Sequence, residues 1–326
     1  MMNRVVIIAI LLISSLPAFA ERFSQQQDVQ DYIQGLVADH GFSEKELVQW
    51  FDQVTYQESI IKALSRPAEK TKTFKSYKPM FVSADTIKKG RAYYDLHRVA
   101  FERAEMVYGI PAEIILAIIA IESRFGGNTG SYKVFDALAT IGFFYPSRAT
   151  YFKKELTEYL LFAKNQNIDP FSVKGSYAGA MGLVQFMPSS IRAYAVDFDY
   201  DGHIDLWDNP VDAIGSVANY FKRHRWQDGR PVAIRAAVMG DDIDQALAPK
   251  LALSTTVAET KAFGWVPTES MVDDEPVLPF KIETDSGFQY WYGMNNFYVI
   301  TRYNHSLLYA MTVNHLSQSF EQVINE

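Results

Sequence analysis

Apolar residues recur every three or four positions through much of the first half of the chain, which is the spacing of an amphipathic helix. Between Gln27 and Leu64 the pattern is interrupted at Gly41, and Ser43 is well placed to cap a second helix. We therefore expect two short helices in this region. The same spacing predicts helices over Asp85–Tyr108 and Tyr151–Asn165.

Residues 66–83 show no such period, because prolines, lysines and aromatic residues alternate irregularly. We expect an extended segment on the surface there. After Arg225 the pattern changes to short runs of β-branched and aromatic residues separated by Gly, Asp and Asn, and the segment Ser306–Val323 returns to a helical pattern. The short runs predict the strands of a small β-rich subdomain: Pro231–Ile234, Val277–Ile282, Phe288–Tyr292 and Phe297–Ile300.

Eight consecutive apolar residues, Ile114–Ile121, predict a helix that is apolar on every face and therefore central to its domain. Pro111 is expected in its first turn, and Glu122 follows directly at its end. Partial burial and the negative end of the helix dipole both favour the protonated form of a carboxyl in that position. Glu122 is therefore a candidate proton donor near neutral pH. The alternative is a structural glutamate paired with Arg124 or a distant cation.

Residues 1–20 have the three-part composition of a secretory signal peptide. Arg4 precedes nine apolar residues, Val5–Ile13, and small residues end at Ala20. Nine residues are about half the length that a membrane-spanning helix needs. We expect cleavage after Ala20, a soluble periplasmic protein and no later transmembrane segment.

Composition excludes several classes of protein. The chain has no cysteine, so disulfides, thiol catalysis and a lipid-modified N-terminal cysteine are excluded. Removal of residues 1–20 leaves 30 basic and 38 acidic residues, a net charge of −8, without a long basic stripe, so we expect no nucleic-acid binding. No organic cofactor is expected, and we expect a monomer.

The fold class is expected to be mainly α, of the α+β type. The length after removal of the signal, about 306 residues, exceeds that of one compact core, so we expect several parts. These are an N-terminal helical domain (21–100), a core (101–228), a β-rich subdomain (229–300) and a C-terminal helix that rejoins the helical body (301–326).

The segment Asp197–Asp208 matches an EF-hand calcium loop at positions 1, 3, 5, 6 and 9. Gly202 permits the sharp turn, and helices are predicted before the loop over Pro188–Ala195 and after it from the N-cap Asn209. Asp208 replaces the usual glutamate at position 12 and is one methylene shorter. We expect structural Ca²⁺ here, and an acidic loop without metal is the alternative. The predicted ligands are Asp197, Asp199, Asp201, the backbone carbonyl of His203, and Asp208.

A glycine-rich segment, Gly175–Ser190, lies between the apolar helix and the metal loop. Its three glycines permit close approach of a ligand to the backbone, and Gln185 offers a donor and an acceptor to a sugar. A tight packing segment is the alternative interpretation.

The order of these motifs resembles that of the lytic murein transglycosylase B family over nearly all of the chain after the signal. The similarity rests on Ile121–Gly126, Gly179–Ser189, the loop that starts at Asp197, and Arg302–Ser306. The resemblance implies a lysozyme-like core, flanked by a helical domain and a small β domain, that acts on peptidoglycan glycan strands. Membrane-attached members carry a lipidated cysteine, so this chain resembles a soluble relative.

The resemblance also implies roles for individual residues. Glu122 matches the catalytic glutamate, and no second acidic residue stands near it in these motifs. The implied reaction cleaves the bond between N-acetylmuramic acid and N-acetylglucosamine and forms a 1,6-anhydro product, with Glu122 as acid and then base. A hydrolytic muramidase and a non-catalytic peptidoglycan-binding protein remain alternatives. Residues implied to line the saccharide groove are Ser176, Gln185, Tyr220, Tyr303, Asn304 and Tyr309.

Overall fold

The computed structural model describes residues 22–64 and 72–326; the predicted signal peptide, 1–20, lies outside the described residues. The chain divides into two compact units, of which the first ends at Val54 and the second spans Thr55–Glu326. The helices, in chain order, are α1 (Gln27–His40), α2 (Glu44–Phe51), α3 (Glu58–Leu64), α4 (Phe74–Tyr77), α5 (Ala84–Tyr108), α6 (Ala112–Ser123), α7 (Val134–Phe144), α8 (Ala149–Gln166), α9 (Pro188–Tyr194), α10 (Pro210–Arg223), α11 (Val257–Lys261), α12 (Asn295–Tyr303) and α13 (Leu307–Ile324).

The first unit is built on α1 and α2. Gly41 ends α1 in the left-handed conformation (φ 62°), where glycine is favoured because it has no Cβ. The hydroxyl of Ser43 accepts a hydrogen bond from the N–H of Glu46, which confirms Ser43 as the N-cap of α2. The two helices bury an apolar core that includes Val29 and Phe51.

The prediction of two helices over Gln27–Leu64 is wrong in number, because a third helix, α3, follows α2. The break between them is held by side chains of α7. The N–H of Thr55 donates to Asp136 at 3.0 Å, and the N–H of Gln57 donates to Thr140 at 3.2 Å. These partners lie more than 80 residues away in sequence, so local spacing does not reveal the break.

Helix α6 is the central element of the second unit, as the sequence predicts. Each residue from Ile114 to Ile121 is at most 8% exposed, and α5, α10 and α13 pack around the helix. Complete burial of an isoleucine side chain stabilises the fold by about 2 kcal/mol. Pro111 is the N-cap and not a first-turn residue, since its ψ of 138° is extended and the helix begins at Ala112.

Helix α5 confirms the prediction for Asp85–Tyr108, with a non-helical residue at His97 (φ −116°, ψ 21°). Helix α8 confirms the prediction for Tyr151–Asn165. Within residues 22–64 and 72–326, no single helix is long and apolar enough to cross a membrane. Helices α5 and α6 meet the length and composition criteria together, but they are bent by 117° at their junction.

Two sheets are present in the described residues. The larger is antiparallel, with strand order β4-β6-β7-β3-β5, and its core contains Trp265 and Tyr292, both fully buried. Strands β6 and β7 confirm two of the four predicted runs, and β3 overlaps the predicted run Pro231–Ile234 only at Ala233 and Ile234. The strands are β1 (Tyr132–Lys133), β2 (Lys174–Gly175), β3 (Ala233–Val238), β4 (Thr255–Thr256), β5 (Trp265–Pro267), β6 (Pro276–Thr284) and β7 (Gly287–Gly293).

Two sequence predictions are wrong in this unit. Phe297–Ile300 belongs to helix α12, because the side chain of Asn296 binds the backbone of Gln227 and Arg230 and fixes the start of a helix. The described part of the segment 66–83 is not extended either. It contains α4, which buries Phe74 and Tyr77, while residues 65–71 lie outside the described part of the chain.

Candidate active site

Glu122 lies in the last turn of α6 and is half-buried. The helix ends at Ser123, and the next residue, Arg124, adopts the left-handed conformation (φ 52°). This conformation costs a non-glycine residue about 1 kcal/mol or more. Ser123 is fully buried, and its hydroxyl accepts a hydrogen bond from the N–H of Gly126. The end of the helix is therefore closed by specific contacts, and Glu122 has a defined backbone position.

Tyr309 contacts Glu122 directly. Its hydroxyl donates to Glu122 Oε1 at 2.6 Å. Tyr309 lies in the first turn of α13, where the N-cap Ser306 accepts a hydrogen bond from the N–H of Tyr309. Burial, and then the negative charge of Glu122, raise the pKa of Tyr309 well above its usual value. At 1% exposure, Tyr309 is placed to hold Glu122 and not to form the wall of an open groove.

Tyr303 and Tyr220 extend this group of tyrosines away from Glu122. The Tyr303 hydroxyl donates to the carbonyl of Val184, and the Tyr220 hydroxyl donates to the carbonyl of Arg302, both at 2.6 Å. The two rings are 4.8 Å apart. Burial, followed by the charge of Glu122, raises the pKa of Tyr303 well above its usual value. The pKa of Tyr303 therefore depends on the charge of Glu122.

Tyr220 and Asn304 differ in what they offer to a ligand. Tyr220 is 6% exposed, and its ring stacks on His224 at 4.1 Å, so it belongs to the packed interior. Asn304 is half-buried and ends α12, and no hydrogen bond of its side-chain amide is found among the described residues. The side chain of Asn304 therefore keeps donor and acceptor atoms that the described part of the protein does not use.

Gln185 is tied to the protein through its amide nitrogen. Nε2 donates to the carbonyl of Thr129 at 3.1 Å and to that of Gly182 at 2.9 Å. Its backbone is left-handed (φ 49°), which is an uncommon conformation for a residue other than glycine. The sequence suggested that Gln185 offers both a donor and an acceptor to a sugar. In the structure, the amide nitrogen donates to two backbone carbonyls, and the oxygen Oε1 remains an acceptor.

The glycine-rich segment is a tight loop in which most close approaches are internal. A Cβ at Gly179 would lie 2.5 Å from Leu138, and one at Gly182 would lie 2.5 Å from the carbonyl of Leu206. The Ser176 hydroxyl accepts hydrogen bonds from the N–H groups of Ala178 and Ala180. Gly179 and Gly182 therefore serve packing, and Ser176 stabilises the loop.

Tyr77 is part of the same cluster and was not identified from the sequence. It is 3% exposed on α4, and it contributes to the raised pKa of Tyr309, after burial, Glu122 and Tyr303. The irregular composition around Tyr77 indicated a surface segment, and no spacing rule marked this residue. Only the tertiary fold brings it to α13.

The carboxylate cluster of the metal loop differs from the predicted ligand set. Oxygen atoms of Asp197, Asp199 and Asp212 lie within 4.8 Å of one another. Asp212 comes from the first turn of α10 and is fully buried, and its two oxygens accept hydrogen bonds from the N–H groups of Phe198 and Asp205. Among the described residues the carboxylates of Asp201 and Asp208 do not belong to this cluster.

Two of these predicted ligands take part in hydrogen bonds of the loop backbone. Asp201 Oδ1 accepts from the N–H of His203, and the N–H of Asp208 donates to Asp205. Carboxylate oxygens are the ligands that a hard cation such as Ca²⁺ prefers. Burial, followed by the negative charges of Asp199 and Asp197, raises the pKa of Asp212, so the three carboxylates repel one another. A bound divalent cation would offset that repulsion.

Asn209 joins two parts of the cluster. Its Oδ1 accepts from the N–H groups of Val211 and Asp212 and caps α10, while its Nδ2 donates to Asp199 Oδ2 at 2.8 Å. The second bond is the largest cause of the lowered pKa of Asp199. The predicted N-cap at Asn209 is confirmed, and it also orients a carboxylate of the cluster.

Comparisons with known proteins agree with this arrangement. Residues 24–318 match the family model described as the transglycosylase SLT domain. The chain is 40% identical over 306 residues to membrane-bound lytic murein transglycosylase B of Escherichia coli, with 91% of this chain and 83% of that protein covered.

Solved structures show the same fold. Soluble lytic transglycosylase SltB1 of Pseudomonas aeruginosa superimposes with a TM-score of 0.86 at 47% identity, covering 92% of this chain and all of that one. Lytic transglycosylase Slt35 of Escherichia coli, solved in complex with calcium, gives a TM-score of 0.84 at 39% identity and covers 93% and 96% of the two chains. The predicted lysozyme-like fold, mainly helical with a small β-rich part, is confirmed. The chain is thus an enzyme of the lytic transglycosylase family that is defined by the transglycosylase SLT domain.

Proposed function

We propose that the protein cleaves peptidoglycan glycan strands between N-acetylmuramic acid and N-acetylglucosamine, with Glu122 as a single acid and base. The observation that carries the proposal is the hydrogen bond from Tyr309 to Glu122 at the end of the buried helix α6. It fixes one carboxylate at the point where a buried helix meets the glycine-rich loop. The relative named membrane-bound lytic murein transglycosylase B supports the substrate class.

The reaction needs two proton transfers. Glu122 first donates its proton to the bridging oxygen, so that the glycosidic bond breaks and the N-acetylglucosamine side leaves as an alcohol. The acetamido group of the muramic acid steadies the cationic C1. Glu122 then takes the proton of the C6 hydroxyl, whose oxygen bonds to C1 and closes the 1,6-anhydro ring. No water is consumed, because the hydroxyl of the same sugar has a high effective concentration.

The surroundings of Glu122 favour this route over hydrolysis. Most glycosidases place a second carboxylate beside the acid in order to act as nucleophile or to activate water. Among the described residues, Glu122 is the carboxylate whose charge raises the pKa values of Tyr303 and Tyr309. Two of its neighbours are the phenols of Tyr303 and Tyr309, whose raised pKa values keep them protonated, so that they do not act as bases for water at neutral pH.

Substrate contacts are proposed from the half-buried polar residues of the same region. Gln185 Oε1 can accept from the sugar acetamide N–H, and the amide of Asn304 can bind hydroxyl groups. Tyr303 and Ser176 border this space, while Tyr220 and Tyr309 support it from within.

We also propose structural Ca²⁺ at the metal loop, bound by Asp197, Asp199 and Asp212. The carbonyl of His203 and the carboxylates of Asp201 and Asp208 complete the proposed set from the loop numbering. Support comes from the oxygen-only ligands and from the calcium in the structure of Slt35. The ion would hold α9 and α10 in their positions.

A periplasmic location is proposed from the composition of residues 1–20. Cleavage after Ala20 would make Glu21 the first residue of the mature protein. N-terminal sequencing of the protein from a bacterial envelope fraction tests this. A chain that retains residues 1–20 in the cytoplasm would contradict it.

Glu122→Gln tests the catalytic assignment. The amide keeps the shape of the side chain but cannot donate and recover a proton, so release of muropeptides from purified peptidoglycan should fall at least about a hundredfold. Glu113→Gln, on the same helix and also half-buried, is the matched control and should retain activity. Comparable rates for Glu122→Gln and wild type would reject the assignment. If the protein binds peptidoglycan without cleaving it, neither wild type nor Glu122→Gln will release muropeptides.

A further inference from the structure

The turn that follows Glu122 has an unusual backbone. Arg124, Phe125 and Gly126 have consecutive positive φ angles of 52°, 59° and 87°. Glycine adopts this conformation freely, but an aromatic residue rarely does, because its Cβ approaches the next carbonyl oxygen. Contacts outside the turn must therefore hold Phe125 in place.

Those contacts come from two long helices. The ring of Phe125 lies 5.2 Å from that of Tyr93 on α5 and 6.5 Å from that of Phe320 on α13, measured between centroids. Phe320 in turn lies against Gly90, where a Cβ would come within 2.1 Å of the ring. A side chain at position 90 would move Phe320, so Gly90 helps to shape the slot that receives Phe125.

Hydrogen bonds connect the turn to the end of α6. The N–H of Gly126 donates to the Ser123 hydroxyl at 3.1 Å, and the N–H of Asn128 donates to the Ser123 carbonyl at 2.8 Å. Ser123 directly follows Glu122. A shift of the Phe125 ring would therefore reach the catalytic carboxyl through two residues of backbone.

The opposite side of the turn contacts the glycine-rich loop. A Cβ at Gly126 would lie 2.9 Å from the side chain of Leu183, and Gln185 binds the carbonyl of Thr129. The same turn thus sets the position of Glu122 and borders the loop that carries Gln185.

We propose that Phe125 is a positioning residue for Glu122, which it holds through the left-handed turn Arg124–Gly126. The proposal rests on the proposed role of Glu122 as the acid. Phe125 touches neither the reacting bond nor the sugar. Its ring, seated between Tyr93 and Phe320, fixes the direction in which Glu122 leaves α6.

Two substitutions separate positioning from general packing. Phe125→Leu removes the ring and keeps an apolar side chain, and Phe125→Tyr keeps the ring of a residue that lines a cavity with Ala120 and Arg124. Phe135→Leu on α7 is the control, because Phe135 is fully buried and also has two aromatic neighbours, Tyr159 and Phe171. The measurements are the melting temperature, kcat, KM and the pH dependence of kcat.

Phe125→Leu should lower kcat about tenfold to a hundredfold, with KM within about twofold, because small displacements of a catalytic group have effects of this size. The alkaline limb of the pH profile should shift, since the contact between Glu122 and Tyr309 changes. The kcat of the Phe125→Tyr protein should remain within about threefold of the wild-type value. Phe135→Leu should lower the melting temperature and leave kcat unchanged where the protein is folded.

A Phe125→Leu protein with wild-type kcat and pH profile, beside an inactive Glu122→Gln protein, would overturn the positioning role and leave the catalytic role of Glu122 intact. An active Glu122→Gln protein would overturn both. Equal loss of kcat in Phe125→Leu and Phe135→Leu, each measured below its melting temperature, would reduce Phe125 to an ordinary core residue and overturn the proposal.

Discussion

The hydroxyl of Tyr309 lies 2.6 Å from the carboxylate of Glu122, although the two residues are 187 positions apart in the sequence. The contact joins the C-terminal end of α6 to the first turn of α13. Both helices are deeply buried, so neither end can move without disturbing the core. The carboxyl of Glu122, the proposed acid, is thereby held by a contact that the fold provides.

Tyr309→Phe should lower kcat about tenfold, because a hydrogen bond to a charged group contributes about 1.5 to 3 kcal/mol and part of this positions the acid. Tyr220→Phe is the control, since its hydroxyl makes a bond of the same length to a backbone carbonyl. Steady-state kinetics and thermal melts of both variants provide the test. A Tyr220→Phe loss of kcat equal to that of Tyr309→Phe would show that the effect is not specific to Glu122.

Gln185→Glu should raise KM at least about fivefold, because the carboxylate loses both hydrogen bonds to the carbonyls of Thr129 and Gly182 and must turn away from them. Gln49→Glu, an exposed amide on α2, is the matched control. Binding of a chitooligosaccharide, followed by titration calorimetry, measures the change independently of turnover. Unchanged affinity would remove Gln185 from the sugar-binding site.

The metal cluster predicts different effects for two aspartates. Asp212→Asn should abolish the rise in melting temperature on addition of Ca²⁺ to chelated protein, because it removes a carboxylate of the cluster. Asp208→Asn should reduce that rise less than Asp212→Asn does, since Asp208 enters the proposed ligand set only from the loop numbering and lies outside the cluster of three carboxylates. If Asp208→Asn has the larger effect, the loop numbering describes the ligands better than the carboxylate cluster does.

Helices and their ends were predicted well where the determinants are local. The apolar run Ile114–Ile121 encodes burial on all sides, and Ser43 and Asn209 carry the side chains that cap helices. Phe297–Ile300 was predicted as a strand, because its β-branched and aromatic residues favour that state in isolation. Its helix depends on the contact of Asn296 with a loop that lies 66 and 69 residues away.

The candidate site shows the same division. Glu122 and Gln185 lie in contiguous motifs, so the sequence located them. Tyr77 joins the tyrosine cluster near Glu122 only through tertiary contacts, and no spacing rule connects it to α13. Asp212 joins the metal loop in the same way, and no spacing rule connects it to an EF-hand loop. The supporting function of Tyr309 also depends on an observed bond and could not be distinguished from groove lining by sequence.

Glu113 predicts a pH-dependent stability. Burial, assisted by Glu105 and Glu321, raises its pKa from 4.5 to about 7. The folded protein therefore keeps this proton in a range where the unfolded chain loses it, and the free energy of unfolding falls as pH rises between about 4.5 and 7. Because glutamine does not titrate, Glu113→Gln removes this fall in the free energy of unfolding. Its melting temperature should exceed that of wild type by a margin that grows from pH 4.5 to pH 8.

Glu259 provides a control of opposite sign. Hydrogen bonds from the Thr255 hydroxyl and the Thr256 N–H lower its pKa below 4.5. The stabilisation by its ionised form is complete above that pH and is lost as pH falls through the lowered value. Glu259→Gln should therefore be less stable than wild type at neutral pH and should approach it in acid. If the difference in melting temperature between Glu113→Gln and wild type does not change with pH, the raised pKa of Glu113 is contradicted.

Digestion of purified peptidoglycan in water enriched in heavy oxygen tests the central claim most directly. The account predicts muropeptides that end in 1,6-anhydro-N-acetylmuramic acid, without the label at the new terminus, because the C6 hydroxyl and not water attacks C1. Mass spectrometry distinguishes these products from hydrolysis products, which are heavier by one water and carry the label. Labelled reducing ends as the main product would show that the enzyme is a muramidase and that Glu122 works with an activated water.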